Sequence, residues 1–308
     1  MSRNYGLGSR EMAKAAAFAL SSAVKDGAIG FDTESKYNNS FKEFCGFAKE
    51  NGVKQMEYVT RDLVIKYGEK LADYISNNEM GKGNAKNIIS AINTVMNIAT
   101  GNKWQSVSAT KECGINQRTA IRETPPTGLD RAQLERGMNA LSERGKAIAE
   151  LAREFGLRSK ESSLLNAHAA LKQAYERGSI SIVDGTKGGR PRNIPLTNSE
   201  RQLAVLERAA NVQGSARAVM PGDKNWKEWK QNGLRETRET LQKNGIERLH
   251  DLRSAYACDR YQKITNYAAP CLGGNAPKDI DRAARKQIAQ ELGHGRTDIT
   301  NSYLGAHT

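Results

Sequence analysis

Apolar residues recur at helical spacing through the first hundred residues. In TESKYNNSFKEFCGFAKENG they fall three or four positions apart from Tyr37 to Ala48, which predicts an amphipathic helix. Thr33 is expected to cap its start and Gly52 to end it. TRDLVIKYGEKLADYISNN and NAKNIISAINTVMNIATGN repeat the pattern. Residues 31–105 are therefore predicted to form a small helical domain.

Two flanking segments have a different character. Residues 1–30 contain an alanine-rich patch interrupted by Glu11 and Lys14, which indicates a helix rather than a signal peptide. This segment is either a helix that packs on the first domain or a separate DNA-binding arm. Residues 106–129 are polar and basic and contain Pro125-Pro126, which disfavours helix, so we interpret them as a linker.

The remaining residues, 130–308, mix two periods. DRAQLERGMNALSERGKAIAELAREFG is helical, whereas SISIVDGTKGGRPRNIPL has two short alternating runs around a glycine-containing turn, the pattern of a β-hairpin. Helical patterns then resume. The predicted fold is mainly α with a small β-hairpin, in which a helical first domain precedes an α+β second domain.

Charge narrows the class of partner. The chain of 308 residues has 47 Lys and Arg against 34 Asp and Glu, a net charge of +13, which favours a polyanion such as nucleic acid. No stretch reaches the roughly 18–20 apolar residues of a membrane span. The four cysteines are scattered without CxxC spacing, so neither a zinc site nor a disulfide framework is predicted, and a reducing cytoplasm fits.

The second domain contains the side chains that phosphodiester cleavage without a metal would need. Such a reaction requires cations to neutralise the phosphate oxygens, a nucleophile, and an acid for the leaving oxygen. Arg158 and Glu161 share a helical face in GLRSKESSLL, as His250 and Arg253 do in LHDLRSAYACDRY. The remaining candidates are Lys187 at the predicted hairpin tip, His294 and Tyr303.

In this order these residues resemble the tyrosine recombinase (phage integrase) family. Its arginine, hairpin lysine, His-x-x-Arg, His or Trp, and C-terminal tyrosine correspond here to Arg158, Lys187, His250, Arg253, His294 and Tyr303. The local sequence motifs GLRxxE, KGGRxRxIPL, HDLR and LGH also match those of the family. The resemblance covers about residues 130–305. It implies a catalytic domain over residues 130–308 and a core-binding, DNA-binding domain over residues 31–105.

The resemblance implies a mechanism. Tyr303 attacks a DNA phosphate to form a 3′-phosphotyrosyl link, while Arg158 and Arg253 grip the non-bridging oxygens with help from His294. Lys187 protonates the 5′-oxygen, and His250 contacts the phosphate or assists proton transfer. Glu161 is expected to orient Arg158.

The same resemblance implies the partners and the setting. No cofactor or metal is expected. The expected partners are double-stranded recombination sites, three further copies in a tetramer and accessory DNA-bending proteins, in a bacterial or phage-infected cytoplasm.

Two alternative functions are compatible with the same residues. A type IB topoisomerase could use the same residues to nick and reseal DNA, and a catalytically inactive relative would only bind it. The chain also departs from the family pattern in the long interval between Arg253 and His294 and in the few residues after Tyr303. We expect the segment around residues 267–285 either to form a protomer interface or to cover the tyrosine segment, unless it is a solvated surface loop.

Overall fold

The computed structural model describes residues 3–117 and 119–307, which form two compact units divided between Thr119 and Ala120. Residues 1, 2, 118 and 308, which belong to the predicted N-terminal segment, linker and catalytic domain, lie outside the described residues. The prediction of a mainly α-helical chain with one small β-hairpin is confirmed. No helix of the described residues is both long and apolar enough to cross a membrane.

The first unit is a four-helix core. Its helices are α1 (Met12–Lys25), α2 (Phe31–Glu50), α3 (Arg61–Ser76) and α4 (Lys82–Ala99). The apolar stripes predicted from the sequence face inward, and Phe41, Phe44 and Ile92 are fully buried. Helix α1 adds Ala15 and Leu20 to the same core, so the alanine-rich segment packs against α2 and α4.

Residues 103–115 pack against this unit instead of forming an extended linker. The Asn93 side chain on α4 donates to the Val107 carbonyl at 2.8 Å and accepts from its amide at 2.9 Å. Cys113 is buried against Gly68, where a Cβ atom would lie 2.3 Å from the Cys113 Sγ. The boundary between the units therefore falls inside residues 106–129, because the apolar residues of that stretch are divided between two cores.

The second unit surrounds a larger core. Its elements are α5 (Arg131–Asn139), α6 (Glu143–Phe155), α7 (Ser159–Leu164), α8 (Ala167–Arg177), β1 (Ser179–Ile182), β2 (Arg192–Pro195), α9 (Ser199–Gln213), α10 (Trp226–Gln231), α11 (Gly233–Lys243), α12 (Leu249–Thr265), α13 (Lys278–Glu291) and α14 (Asn301–Leu304). Strands β1 and β2 pair antiparallel with Ile180 opposite Ile194, and both side chains point into the core.

Helix α12 is central to this unit because it packs against α6, α13 and α14. It is buried on nearly all sides, including its charged residues Asp251, Arg253 and Arg260. A helix that buries guanidinium and carboxylate groups must supply each with a partner. Those partners define the candidate site.

Candidate active site

Arg253 lies at the centre of the site with no exposed surface. Its guanidinium donates to the carbonyl of Gly156 after α6 and to the carbonyl of Leu292 after α13, the latter at 2.6 Å. Its Nε also lies 3.3 Å from the Tyr303 hydroxyl. Burial lowers the pKa of Arg253 to about 10, so the group remains charged at neutral pH. One fixed cation on α12 thus connects the ends of α6 and α13 to the tyrosine.

Glu161 balances several cations from a fully buried position. Its carboxylate accepts from Arg158 Nη1 at 2.7 Å and from both terminal nitrogens of Arg192 at 2.8 and 2.7 Å. The Arg253 Nη1 atom lies 3.6 Å away. Burial by itself would raise the pKa of Glu161, but the Arg192 guanidinium, the Arg158 amide and the Arg253 charge lower it to about 2. The carboxylate therefore stays ionised and fixes the arginines around it.

The local chain explains how Arg158 reaches this cluster. Gly156 ends α6 with a left-handed φ of 62°, where a Cβ atom would lie 2.5 Å from the Tyr256 ring. The chain then turns, and Arg158 precedes the first residue of α7. The Glu161 carboxylate accepts from the Arg158 backbone amide at 2.7 Å, as an acid in the first turn of a helix commonly does. The predicted contact between Glu161 and the Arg158 side chain is present in the structure. The prediction that both residues share a helical face is wrong, because Arg158 has an extended backbone and precedes the helix.

Tyr303 lies on α14 and is 3% exposed. Its hydroxyl is 3.0 Å from His294 Nε2, and its ring centroid is 5.3 Å from that of His250. Arg253 Nη2 also lies 3.4 Å from His294 Nε2. Because both neighbours carry N–H or O–H groups, Nε2 is best assigned as the acceptor of a neutral imidazole. The tyrosine hydroxyl then donates to His294 and accepts from Arg253.

The electrostatic surroundings keep both histidines neutral. Burial, followed by the charges of Arg253 and Arg158, lowers the pKa of His294 to about 4. Burial and the Arg253 charge lower the pKa of His250 to about 4 as well. His250 is exposed, so solvent weakens this effect, whereas His294 is half-buried. A neutral His294 can accept a proton at pH 7.

Lys187 is the one predicted residue that the structure leaves apart from the cluster. It begins a short 3-10 turn, Lys187–Gly189, between β1 and β2, and its side chain is exposed. Among residues 3–117 and 119–307 we find no hydrogen bond or ion pair to Lys187. The other predicted residues, Arg158, Glu161, His250, Arg253, His294 and Tyr303, are brought together.

Three arginines around the site were not predicted. Arg192 on β2 joins Glu161 to the Glu291 carbonyl, the latter at 2.7 Å. Arg285 on α13 and Arg122, near the start of the second unit, bind the tyrosine segment. Arg192 lies within the KGGRxRxIPL motif, from which it could have been predicted. Nothing in the local sequence marks Arg122 or Arg285.

The long interval between Arg253 and His294 contains a loop and α13, and the loop contacts the tyrosine segment. Cys258 and Cys271, whose Sγ atoms are 3.8 Å apart, each direct a thiol at the Tyr303 carbonyl, at 3.7 and 3.8 Å. His307 is hydrogen-bonded to the Ala276 carbonyl at 2.8 Å. Of the expectations for this segment, the structure therefore supports a covering of the tyrosine.

Comparisons with known proteins come from a family model and from solved structures. Residues 120–259 match the family described as Integrase. No curated protein sequence matches the chain at a significant level. The Tn1549 transposon integrase in complex with transposon right end DNA is similar with a TM-score of 0.59 at 12% identity, over 95% of this chain and 95% of that chain.

Two lambda integrase structures are also similar in fold. A dimer bound to a COC′ core site has a TM-score of 0.56 at 15% identity, over 92% of this chain and 75% of that chain. A tetramer bound to a Holliday junction has a TM-score of 0.55 at 17% identity, over 87% of this chain and 70% of that chain.

Proposed function

We propose that this chain is a tyrosine recombinase of the integrase family, which residues 120–259 match, and that it cleaves and rejoins DNA at specific sites through a covalent bond to Tyr303. The observation that carries the proposal is the Tyr303 hydroxyl, held 3.0 Å from a neutral His294 and 3.3 Å from the buried Arg253 guanidinium. A buried tyrosine flanked by a proton acceptor and a fixed cation is suited to nucleophilic attack on an anionic ester.

The proposed first step is attack of the Tyr303 oxygen on a backbone phosphorus. A bond forms between that oxygen and phosphorus, the bond to the 5′-oxygen breaks, and a 3′-phosphotyrosyl link remains. The hydroxyl proton passes to His294 Nε2, with which it already shares a hydrogen bond. Arg158 and Arg253 neutralise the non-bridging oxygens, where charge accumulates in the transition state.

Lys187 is proposed to protonate the departing 5′-oxygen. Its exposed position between β1 and β2 leaves the ammonium free to approach DNA bound over the site. His250, whose ring adjoins that of Tyr303, hydrogen-bonds the phosphate. The 5′-hydroxyl of a partner strand then reverses the step. Two such exchanges pass through a Holliday junction, and the free energy of the broken ester is conserved in the tyrosyl link.

The proposed partners are duplex recombination sites and further copies of the chain. The lambda integrase structure on a Holliday junction is a tetramer, and we propose the same stoichiometry here. The first unit, residues 31–105 in particular, is proposed to bind DNA as the core-binding domain. Accessory DNA-bending proteins are a further proposed partner.

A nicked suicide DNA substrate tests the proposal, because loss of a short 5′-fragment traps the covalent intermediate. The wild-type protein should form an adduct that survives denaturing electrophoresis, and Tyr303→Phe should bind the same DNA without forming it. An adduct with the Phe variant would show that another residue is the nucleophile. Absence of any adduct would leave a DNA-binding protein, and relaxation of supercoils without exchange between two sites would indicate a topoisomerase.

A further inference from the structure

Helix α14, which carries Tyr303, is too short to hold its own position. It spans four residues, Asn301–Leu304, and the Gly305 amide closes its turn by donating to the Asn301 carbonyl at 3.1 Å. Isolated helices much shorter than about 12 residues are unstable in water, because nucleation is costly. The place of the tyrosine must therefore be set by groups outside the helix.

Arg122 supplies such groups from a distant part of the sequence. Its backbone amide donates to the Asn301 carbonyl at 2.9 Å, and its side-chain Nε donates to the Ser302 carbonyl at 3.4 Å. These are the two residues directly before Tyr303. The Arg122 carbonyl also packs on Gly305, where a Cβ atom would lie 3.0 Å away and where φ is 83°. Arg122 thus contacts the residues on both sides of the tyrosine.

The other end of the Arg122 side chain is fixed to α12. Its Nη2 donates to Asp251 Oδ1 at 2.7 Å and to Ser254 Oγ at 3.2 Å. The two side chains of this ion pair are 14% and 8% exposed, so water screens it weakly. Asp251 is further held by the Thr127 hydroxyl at 3.0 Å. Asp251 and Ser254 immediately follow His250 and Arg253, so Arg122 ties α14 to the turn of α12 that carries two site residues.

We propose that Arg122 is a positioning residue that sets the distance of the Tyr303 hydroxyl from Arg253 and His294. The expected effect on the cleavage rate rests on the proposed function. The expected effect on the position of the tyrosine segment does not. Arg122 touches none of the reacting atoms and acts through the tyrosine segment. A displacement of a reacting group by about 1 Å can slow a reaction roughly a hundredfold.

The test compares Arg122→Ala and Arg122→Lys with the wild type on the suicide substrate, at DNA concentrations that saturate binding. The Ala variant should cleave more slowly by roughly tenfold to a hundredfold, while its affinity for DNA changes little. The Lys variant keeps one charge beside Asp251 but lacks the guanidinium fork, so its rate should be intermediate. Guanidinium ion added to the Ala variant should restore part of the rate. Arg131→Ala, which removes an arginine that pairs with Glu154 and Asp259 in the same unit, is the matched control and should cleave normally.

Hydrogen exchange of the backbone amides of residues 301–305 gives a second readout that needs no DNA. It should accelerate in Arg122→Ala, while exchange in α6 and α9 stays unchanged. If Arg122→Ala cleaves DNA and exchanges these amides at the same rates as the wild type, the inference is wrong. Faster exchange throughout the second unit would also overturn it, because Arg122 would then serve general folding. If the wild type forms no adduct, the proposed function fails, and the exchange data alone decide the place of Arg122.

Discussion

Among the residues that the structure describes, Glu161 is the single carboxylate that forms ion pairs with Arg158, Arg192 and Arg253. Removal of one partner from a buried ion pair leaves an uncompensated charge and commonly costs about 3–5 kcal/mol. Glu161→Gln should therefore lower the free energy of unfolding by about 3–5 kcal/mol and should also slow cleavage, because Arg158 loses its negatively charged partner.

Urea denaturation followed by circular dichroism measures this loss. Glu176→Gln is the control, because Glu176 is 60% exposed in a surface pair with Lys172 and should contribute less than about 1 kcal/mol. Equal losses in the two variants would show that the buried network contributes no more to stability than a surface pair.

His294 gives the site its expected dependence on pH. Burial and the neighbouring arginines lower its pKa from 6.5 to about 4, so the unfolded chain binds this proton at a higher pH than the folded chain does. The free energy of unfolding should therefore fall as the pH drops from about 6.5 towards about 4. The rate of adduct formation should persist through the same interval and decline only near pH 4, when His294 becomes protonated. An acid limb centred near 6.5 in protein that is still folded would contradict this assignment.

At the scale of the element, residue periodicity predicted some features well and others poorly. The stripes in α2, α3 and α4 and the β1–β2 hairpin were identified, because each is a local pattern of apolar side chains on one face. The predicted start of α2 was wrong, because the helix begins at Phe31 after Gly30, without the expected cap from Thr33. The stretch after residue 130 that was interpreted as helical consists of two helices, because Ser142 caps a new start at α6.

The site was predictable only where its residues fall into motifs. Arg158 and Glu161 are three residues apart and meet within one turn. Arg122 and Arg285 instead bind backbone carbonyls of the tyrosine segment, the first across 180 positions of sequence. A carbonyl acceptor leaves no trace in the amino-acid sequence, so such contacts appear only once the chain is folded.

The β1–β2 connection yields a prediction about Lys187. If its ammonium protonates the 5′-oxygen, Lys187→Ala should slow cleavage of ordinary DNA but not of DNA with a sulfur atom at that position, because a thiolate leaves without an acid. Lys172→Ala, an exposed lysine on α8, is the control and should cleave both substrates normally. An equal defect of Lys187→Ala on both substrates would exclude the acid role.

At the scale of the whole molecule, the net charge of +13 predicts binding that weakens steeply with salt. Each phosphate neutralised by Lys or Arg releases a counterion, so a protein with 6–10 such contacts loses about 10³–10⁵ in affinity between roughly 50 and 200 mM salt. Titrations of the full chain with a duplex site over this range measure the slope. A flat plot of log affinity against log salt would contradict extensive contact with the backbone.

The position of Tyr303 within its own chain has a consequence for mixtures of defective copies. The hydroxyl already lies against His294 and Arg253 of the same polypeptide, so each copy would bring a complete set of reacting groups to its own phosphate. Tyr303→Phe and Arg158→Ala proteins mixed on one DNA site should therefore fail to complement each other. Recovery of covalent adduct in the mixture, above the sum of the two variants alone, would mean that a copy lends its tyrosine to a neighbour. If no tyrosine is shared between copies, an inactive copy should be a dominant inhibitor of the assembly that it joins.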